Sequence, residues 1–243
     1  MKRIERPASL FDARFLQKHT PGGQDHDQQN HAGGGAGPAL AENQAGFPAA
    51  DSTRDVSTKV YGPDEEDVGQ MTHEAVSYYS QDGYRDIDEY LRTGQIPAGA
   101  DPVYAKNIPK YVEKLDAFTT DSFNDAPPIV FRGTGALAEG FDADSFIRGY
   151  EDKVGKTVTF PGYQSTSATS RVAARHAGAE GNPIFEIKAK TGAPLGRLSE
   201  HPGENEILLP RGRTFRVVSV QRGAKFQTDS GVKSFTAIRL IEV

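Results

Sequence analysis

The chain has 243 residues, of which 36% are hydrophobic and 25% charged, and 26 are glycines, a balance that indicates a globular part diluted by a polar, flexible part. A formal net charge of -5 and a pI near 5.7 exclude non-specific attraction to nucleic acid or to anionic membranes as the default function. The absence of cysteine excludes disulfides, zinc-thiolate sites and a cysteine nucleophile.

Residues 1–70 are predicted to be a flexible, polar and glycine-rich segment. From about Thr20 to Ser57 there are few β-branched or aromatic residues, so this stretch cannot bury enough apolar surface to offset its ordering entropy. The basic start is not followed by the apolar core of a signal peptide, and no stretch has the length of a membrane span. We expect a tail or tether here and a folded domain over residues 71–243.

Two helical regions precede any predicted strand. An apolar stripe begins near Met71, is interrupted at Gly83 and meets a stop signal at Gly94, which predicts one broken helix or two short ones. A second stripe begins at Ile108, and Pro109 suits its first turn, where a missing backbone N–H costs nothing.

After Pro127 and Pro128, short apolar or alternating runs bounded by Gly, Pro and Asp indicate strands. These runs cover residues 129–131, 157–160, 184–187, 207–209, 215–220 and 235–241. Only two short helical patterns, at 144–150 and 169–178, interrupt them, which is too few for a regular βαβ alternation. The sequence predicts an α+β domain in which N-terminal helices pack on a two-sheet, mostly antiparallel β core.

Two polar motifs in the strand-rich half offer binding chemistry. Arg132 and Gly133 end an apolar run, and an arginine fork suits phosphate oxygens while glycine lets a ligand approach the backbone closely. In an extended Ser165-Thr166-Ser167 the two serines share one face, where their hydroxyls would orient a carboxylate or bind a ribose. Taken singly, each motif is explained as well by an ordinary strand end, and Thr169 by a helix cap.

A third motif holds two carboxylates, Glu204 and Glu206, ahead of the apolar run at 207–209. If this segment is extended, both carboxylates face the same way, and an uncompensated pair shifts each other's pKa. Two explanations for the pair of carboxylates stay open: the pair lies on a solvated strand edge, or it belongs to a site that stabilises positive charge.

Together and in this order, the three motifs resemble the R-S-E class of mono-ADP-ribosyltransferases, the class of many bacterial toxins and of vertebrate arginine-specific transferases. The resemblance extends over residues 71–243, because Tyr78-Tyr79-Ser80-x-x-Gly83-Tyr84-x-x-Ile87 is similar to the helical region of that family. Asp88 departs from the asparagine that is frequent there, and we expect it to affect packing and not chemistry. His201-Pro202 replaces a frequent aromatic in the loop before Glu204, which leaves the choice of target protein open.

The resemblance implies that NAD+ is cleaved between nicotinamide and ribose and that ADP-ribose passes to a protein side chain through an oxocarbenium-like transition state. Anionic groups beside the developing cation meet that demand. In this scheme Glu206 holds the ribose 2′-OH and stabilises the cation, and Ser165 orients Glu206.

The remaining motif residues are expected to bind NAD+ and to select the acceptor. By resemblance Arg132 clamps the phosphates, Gly133 offers backbone groups to the nicotinamide amide, and the hydroxyls of Thr166 and Ser167 complete the NAD+-binding set. Glu204 at the first position of the pair goes with arginine acceptors, and a carboxylate is suited to attract a guanidinium and to take its proton. With no P-loop and no G-x-G-x-x-G after a strand, NAD+ is a consumed co-substrate, and no metal is implied.

Two other functions stay open at this point. An NAD glycohydrolase, which gives the sugar to water, uses the same residues. A non-enzymatic virion or interaction module would keep the fold as a scaffold, although a scaffold does not require paired carboxylates.

The leading segment carries two weaker signals. His19, Asp25, His26, Asp27 and His31 are potential metal ligands, but solvated polar residues explain them better. The segment 18–31 resembles a short motif found ahead of varied domains in tailed-phage head proteins. That likeness implies a phage-encoded, virion-associated enzyme delivered to the cytoplasm of a bacterial host, where it acts on a host protein.

Overall fold

Helices come first along the chain and strands follow, as predicted. The computed structural model describes residues 47, 62–121, 129–135 and 141–243. The helices are α1 (Gln70–Tyr78), α2 (Tyr84–Thr93), α3 (Pro102–Ala105), α4 (Ile108–Asp121), α5 (Ala143–Glu151) and α6 (Ser170–Ala177). The strands are β1 (Val130–Gly133), β2 (Thr157–Phe160), β3 (Gln164–Ser167), β4 (Pro183–Lys188), β5 (Ala193–Pro194), β6 (Glu206–Leu209), β7 (Arg213–Thr228) and β8 (Gly231–Glu242).

The predicted tail lies almost wholly outside the described residues, and so do the His/Asp cluster and the phage-like segment. The domain boundary at residue 70 therefore stays a prediction. Within the described part, no helix is both long and apolar enough to cross a bilayer.

The break predicted at Gly83 is a π-helical turn, Tyr79–Gly83, which joins α1 to α2. Gln81 leaves helical geometry there, with φ -87 and ψ -121. A Cβ on Gly83 would lie 2.5 Å from the Tyr78 ring, so only glycine allows the chain to fold back on that ring. The predicted stop is confirmed, since α2 ends at Gly94 in the left-handed conformation.

All eight strands form one hydrogen-bonded sheet in the order β2-β7-β8-β4-β1-β3-β6-β5. Only β4 and β8 pair in parallel, so the mostly antiparallel α+β architecture is confirmed. The expected division into two sheets is corrected, because β1 and β3 are joined, though by the single pair Phe131 and Ser167. Strands β1 and β3 each pair at four positions with their other neighbour, so a junction of one pair leaves no pattern in the sequence that would reveal it.

The β7–β8 hairpin is longer than predicted, because its outer ends alternate exposed polar residues with a few buried ones. Lys225 is exposed beside buried Phe226, and Gly223 has a φ of 73 within an irregular stretch between Gln221 and Ala224. Such irregularities increase the local twist and let a long hairpin curve around the core.

Two packing contacts fix the elements that surround the junction of β1 and β3. A Cβ on Gly133 would lie 1.8 Å from the Ala173 carbonyl oxygen, so this glycine lets α6 lie directly on β1. On the other side, Asp116 of α4 accepts hydrogen bonds from the Tyr163 hydroxyl (2.6 Å) and from Arg211 (2.8 and 2.7 Å). The helices are therefore tied to the strands on both sides of the junction.

Candidate active site

Antiparallel pairing brings the three predicted motifs to one place in the sheet. Strand β3 pairs with β6 so that Ser167 lies opposite Glu206, and β3 meets β1 next to Arg132. Residues that lie far apart in the chain are thus within side-chain reach of each other at the β1–β3 junction.

Glu206 is 3% exposed and both of its carboxylate oxygens are held by serines. The Ser165 hydroxyl donates to Oε1, and the Ser199 hydroxyl donates to Oε2 at 3.2 Å. Burial is the main cause that raises the pKa of Glu206 to about 7, and the charge of Glu204 adds to it, while the serine hydroxyls and Arg132 oppose it. Glu206 is thus a fixed carboxyl group that changes charge near neutral pH.

Arg132 is a buried cation on the β1 side of the site. Its Nη1 donates to the Ser165 carbonyl oxygen at 2.9 Å, so the same serine contacts both Arg132 and Glu206. Burial lowers the pKa of Arg132, and the neighbouring Tyr79 and Asp88 act in the opposite direction. Asp88 therefore acts on the pKa of Arg132, and the expectation that its departure from asparagine affects packing and not chemistry stays a prediction.

Glu204 does not lie on an extended strand, contrary to the premise from which its direction was predicted. Residues Pro202–Glu204 form a short 3-10 turn, and Asn205 has a φ of 46, in the left-handed region. The Ser167 hydroxyl fixes this turn by donating to the Glu204 carbonyl oxygen at 2.7 Å. The left-handed residue interrupts the two-residue alternation, so Glu204 reaches different neighbours from Glu206.

Those neighbours are cationic or hydrogen-bonding groups of helix α6. Glu204 Oε1 lies 3.4 Å from His176 Nε2 and 3.9 Å from Arg175 Nη1. Burial favours the neutral acid, but the hydrogen bond from His176 and the charges of His176, His201 and Arg175 prevail and lower the pKa of Glu204. The two carboxyl groups thus have pKa values displaced in opposite directions, an arrangement that suits different roles in one site.

Three predicted residues have structural partners that account for them. The Thr166 hydroxyl donates to the Ile207 carbonyl oxygen at 2.6 Å, on the strand face opposite to Ser165 and Ser167. Gly133 contacts α6 as described above. Thr169 occupies the N-cap position of α6, but its side chain makes no capping hydrogen bond and instead accepts one from Asn205 Nδ2 at 3.4 Å.

Sequence reasoning did not single out Ser199 and His176. Ser199 lies in an irregular loop and carries no pattern of its own. His176 had a signal, because it occupies the apolar face of α6 that also carries the buried Ala173 and Ala177. A polar side chain on such a face requires a partner.

The loop before Glu204 is anchored to the N-terminal helices by Glu200. The Ser77 hydroxyl donates to the Glu200 carboxylate at 2.6 Å, and the Glu200 N–H donates to the Ser80 hydroxyl at 3.0 Å. The helical region therefore shapes the site by positioning a loop.

Among the described residues, no three His, Asp or Glu side chains are grouped so that they could hold a metal ion.

Residues 58–237 match the family model described as ADP-ribosyltransferase exoenzyme. The chain belongs to this family. It is 28% identical over 169 residues to Mav of Mycobacterium avium (strain 104), a protein named as an NAD(+)–arginine ADP-ribosyltransferase, with 70% of this chain and 18% of that protein covered. It is also 28% identical over 149 residues to the mouse ecto-ADP-ribosyltransferase 5, with 58% and 44% covered. The chain thus spans less than half of the length of either relative.

The fold of the transferase family is found again in solved structures. The SpvB domain of Salmonella aligns with a TM-score of 0.51 at 17% identity, covering 72% of this chain and all of that one (100%). At this level of identity the likeness concerns the fold alone, and it agrees with the α+β architecture described above.

Proposed function

We propose that this transferase cleaves NAD+ and transfers the ADP-ribosyl group to an arginine side chain of a protein acceptor, releasing nicotinamide. The observation that carries the proposal is Glu206, a buried carboxyl group whose two oxygens are both held by serines, beside the cation of Arg132 and the second carboxylate of Glu204. Membership of the ADP-ribosyltransferase exoenzyme family and the names of the two relatives support the same reaction.

Glu206 is the residue that we assign to the cleavage step. As the bond between nicotinamide and ribose breaks, its electrons leave with nicotinamide, and positive charge develops on the ribose. A carboxylate that is already fixed in place stabilises that charge without reorganising during the reaction. Ser165 and Ser199 act as positioning residues, because each holds one oxygen of Glu206.

We assign NAD+ binding to Arg132, Gly133 and the Ser165-Thr166-Ser167 strand. The guanidinium of Arg132 suits a phosphate oxygen, and Gly133 presents backbone without a side chain at the edge of the site. Thr166 and Ser167 contribute by holding β6 and the Glu204 turn in place, as their hydrogen bonds to Ile207 and Glu204 indicate.

Glu204 is the residue that we assign to the acceptor. Its lowered pKa keeps it anionic at neutral pH, so that it attracts a guanidinium. When the arginine nitrogen attacks the ribose carbon, a proton must leave that nitrogen, and Glu204 is the base that accepts it. Water in place of arginine would give NAD hydrolysis through the same cleavage step.

The test uses labelled NAD+, agmatine as a small guanidino acceptor and a bacterial lysate as a source of proteins. We expect wild type to release nicotinamide and to label agmatine and protein bands, and Glu206→Gln to lose all three signals. Glu204→Gln is expected to lose transfer while keeping NAD hydrolysis. Nicotinamide without any labelled acceptor would favour a glycohydrolase, and no signal from wild type would favour a non-enzymatic module.

We also propose that the acceptor is a protein of a bacterial host and that the chain is carried in a virion. This proposal rests on the resemblance of segment 18–31 to a motif of phage head proteins. The segment lies outside the described residues. Western blotting of purified virions tests it, and absence of the chain from virions that infect normally would contradict it.

A further inference from the structure

Helix α6 contains a buried histidine next to the proposed acceptor carboxylate. His176 is 4% exposed, and its Nε2 lies 3.4 Å from Glu204 Oε1. Around it on the same helix face are Ala173 and Ala177, which pack against the strands. The cleavage chemistry assigned to Glu206 does not use this imidazole, since Ser165 and Ser199 hold the Glu206 oxygens.

The backbone alone does not fix the Glu204 side chain. Glu204 ends a turn of three residues, and the left-handed Asn205 follows it. A carboxylate on a flexible three-bond side chain has several rotamers, so its direction depends on what it contacts. The contacts that the structure gives it are His176 and Arg175, both on α6.

We propose that His176 is a positioning residue that holds Glu204 in the direction required for transfer to arginine and takes no part in NAD+ cleavage. The inference rests on the proposed function, because it assigns a partner to the carboxylate that receives the acceptor.

A comparison of His176 with Arg175 explains why the histidine has the stronger effect on the direction of the Glu204 side chain. Arg175 is 52% exposed, lies 3.9 Å from Glu204 and also pairs with Asp229 at 3.4 Å, so solvent and a competing carboxylate weaken its effect. His176 is closer and buried, where solvent weakens a polar contact with a charged group less. The other titratable groups that act on Glu204 are His201 and Glu206.

The experiment compares three variants of the full chain with wild type. His176→Leu removes the donor and keeps an apolar side chain on α6, whereas His176→Gln keeps an N–H donor near the position of Nε2. Arg175→Ala is the matched control, since it removes the exposed cation from the same carboxylate. Each is assayed for kcat and KM with agmatine and, separately, for NAD hydrolysis without acceptor, and thermal melts report whether it is folded.

We expect His176→Leu to lower kcat/KM for agmatine by about tenfold to a hundredfold, the range for a lost polar partner of a buried charged group, with NAD hydrolysis changed by less than about twofold. His176→Gln should recover most of the transfer activity, and Arg175→Ala should lower it by less than about threefold.

Three results would overturn the proposal: a folded His176→Leu with unchanged transfer, one with higher transfer, or one in which transfer and hydrolysis fall together. If His176→Leu does not fold, His176→Asn replaces it, because its shorter amide stays polar but lies too far from Glu204 Oε1 to replace Nε2. A wild-type chain that releases no nicotinamide would instead refute the proposed function itself.

Discussion

Because the pKa of Glu206 is raised, we expect the proposed NAD+ cleavage to be sensitive to pH in the neutral range. Burial is the largest cause and the Glu204 charge adds to it, and the net effect of all neighbours moves the pKa from 4.5 to about 7. At about 1.36 kcal/mol for each pH unit, this corresponds to about 3 kcal/mol in favour of the neutral acid. Only the ionised form stabilises the developing cation, so protonation of this group should abolish cleavage.

The measurement is kcat/KM for NAD hydrolysis without acceptor between pH 5 and pH 9, because this parameter reports ionisations of the free enzyme. We expect an acidic limb with an apparent pKa of about 7, so that kcat/KM at pH 6 is about tenfold lower than at pH 8. Glu204→Gln removes a charge that raises this pKa and should move the limb to lower pH. Ser165→Ala removes a donor that lowers it and should move the limb to higher pH.

A rate that is level from pH 5 to pH 9 would show that Glu206 is already ionised at pH 5, and hence that it is not desolvated as described. A limb near 7 that neither variant moves would show that some other group titrates. The first result would refute the desolvation that raises the pKa of Glu206, and the second would remove the evidence that its ionisation controls cleavage.

Three further predictions concern stability and are checked by urea or thermal unfolding. Because the folded-state pKa of Glu206 lies above its ordinary value of 4.5, the stability owed to the neutral acid is complete below about pH 4 and is lost as pH rises to about 7. Glu206→Gln should therefore be more stable than wild type by up to about 3 kcal/mol at pH 8 and by less than about 1 kcal/mol at pH 5, and equal to it below about pH 4. Gly133→Ala should cost about 3 kcal/mol or more, because its Cβ would lie 1.8 Å from a carbonyl oxygen of α6. Arg239→Met should cost about 3–5 kcal/mol by leaving the buried Glu186 without the guanidinium that lies 2.6 Å away, and the double variant with Glu186→Leu should recover most of that loss.

The elements that the sequence predicts well are those whose own residues determine them. The break at Gly83 and the stop at Gly94 depend on local backbone geometry, and the structure confirms both. The outer ends of the β7–β8 hairpin were missed, because their residues are polar and only pairing with each other makes them strands. Strand β5 was also missed, because a strand of two residues is too short to show a periodic pattern.

The candidate site likewise has features that the sequence predicts and features that depend on contacts between elements. The resemblance carried by the three motifs implies which residues meet, and the structure brings Arg132, Ser165 and Glu206 together. Contacts made across elements could not be predicted, and Ser199 and His176 became visible only when the loop and α6 were placed against the two glutamates. The direction of Glu204 was missed because asparagine, although enriched in the left-handed conformation, also occurs in extended segments, and Asn205 was read as extended.

That one backbone conformation separates the two carboxylates chemically. In an extended segment both would lie on one face, share one environment and repel each other, so that neither role would have a group of its own. With Asn205 at a φ of 46, Glu206 stays in the buried strand and its pKa rises, while Glu204 turns to His176 and Arg175 of α6 and its pKa falls. At neutral pH the acceptor carboxylate is therefore already ionised while the cleavage carboxylate still titrates. If the pH profiles of transfer and of NAD hydrolysis show the same acidic limb, that limb should originate from Glu206, because Glu204 loses its charge only at lower pH.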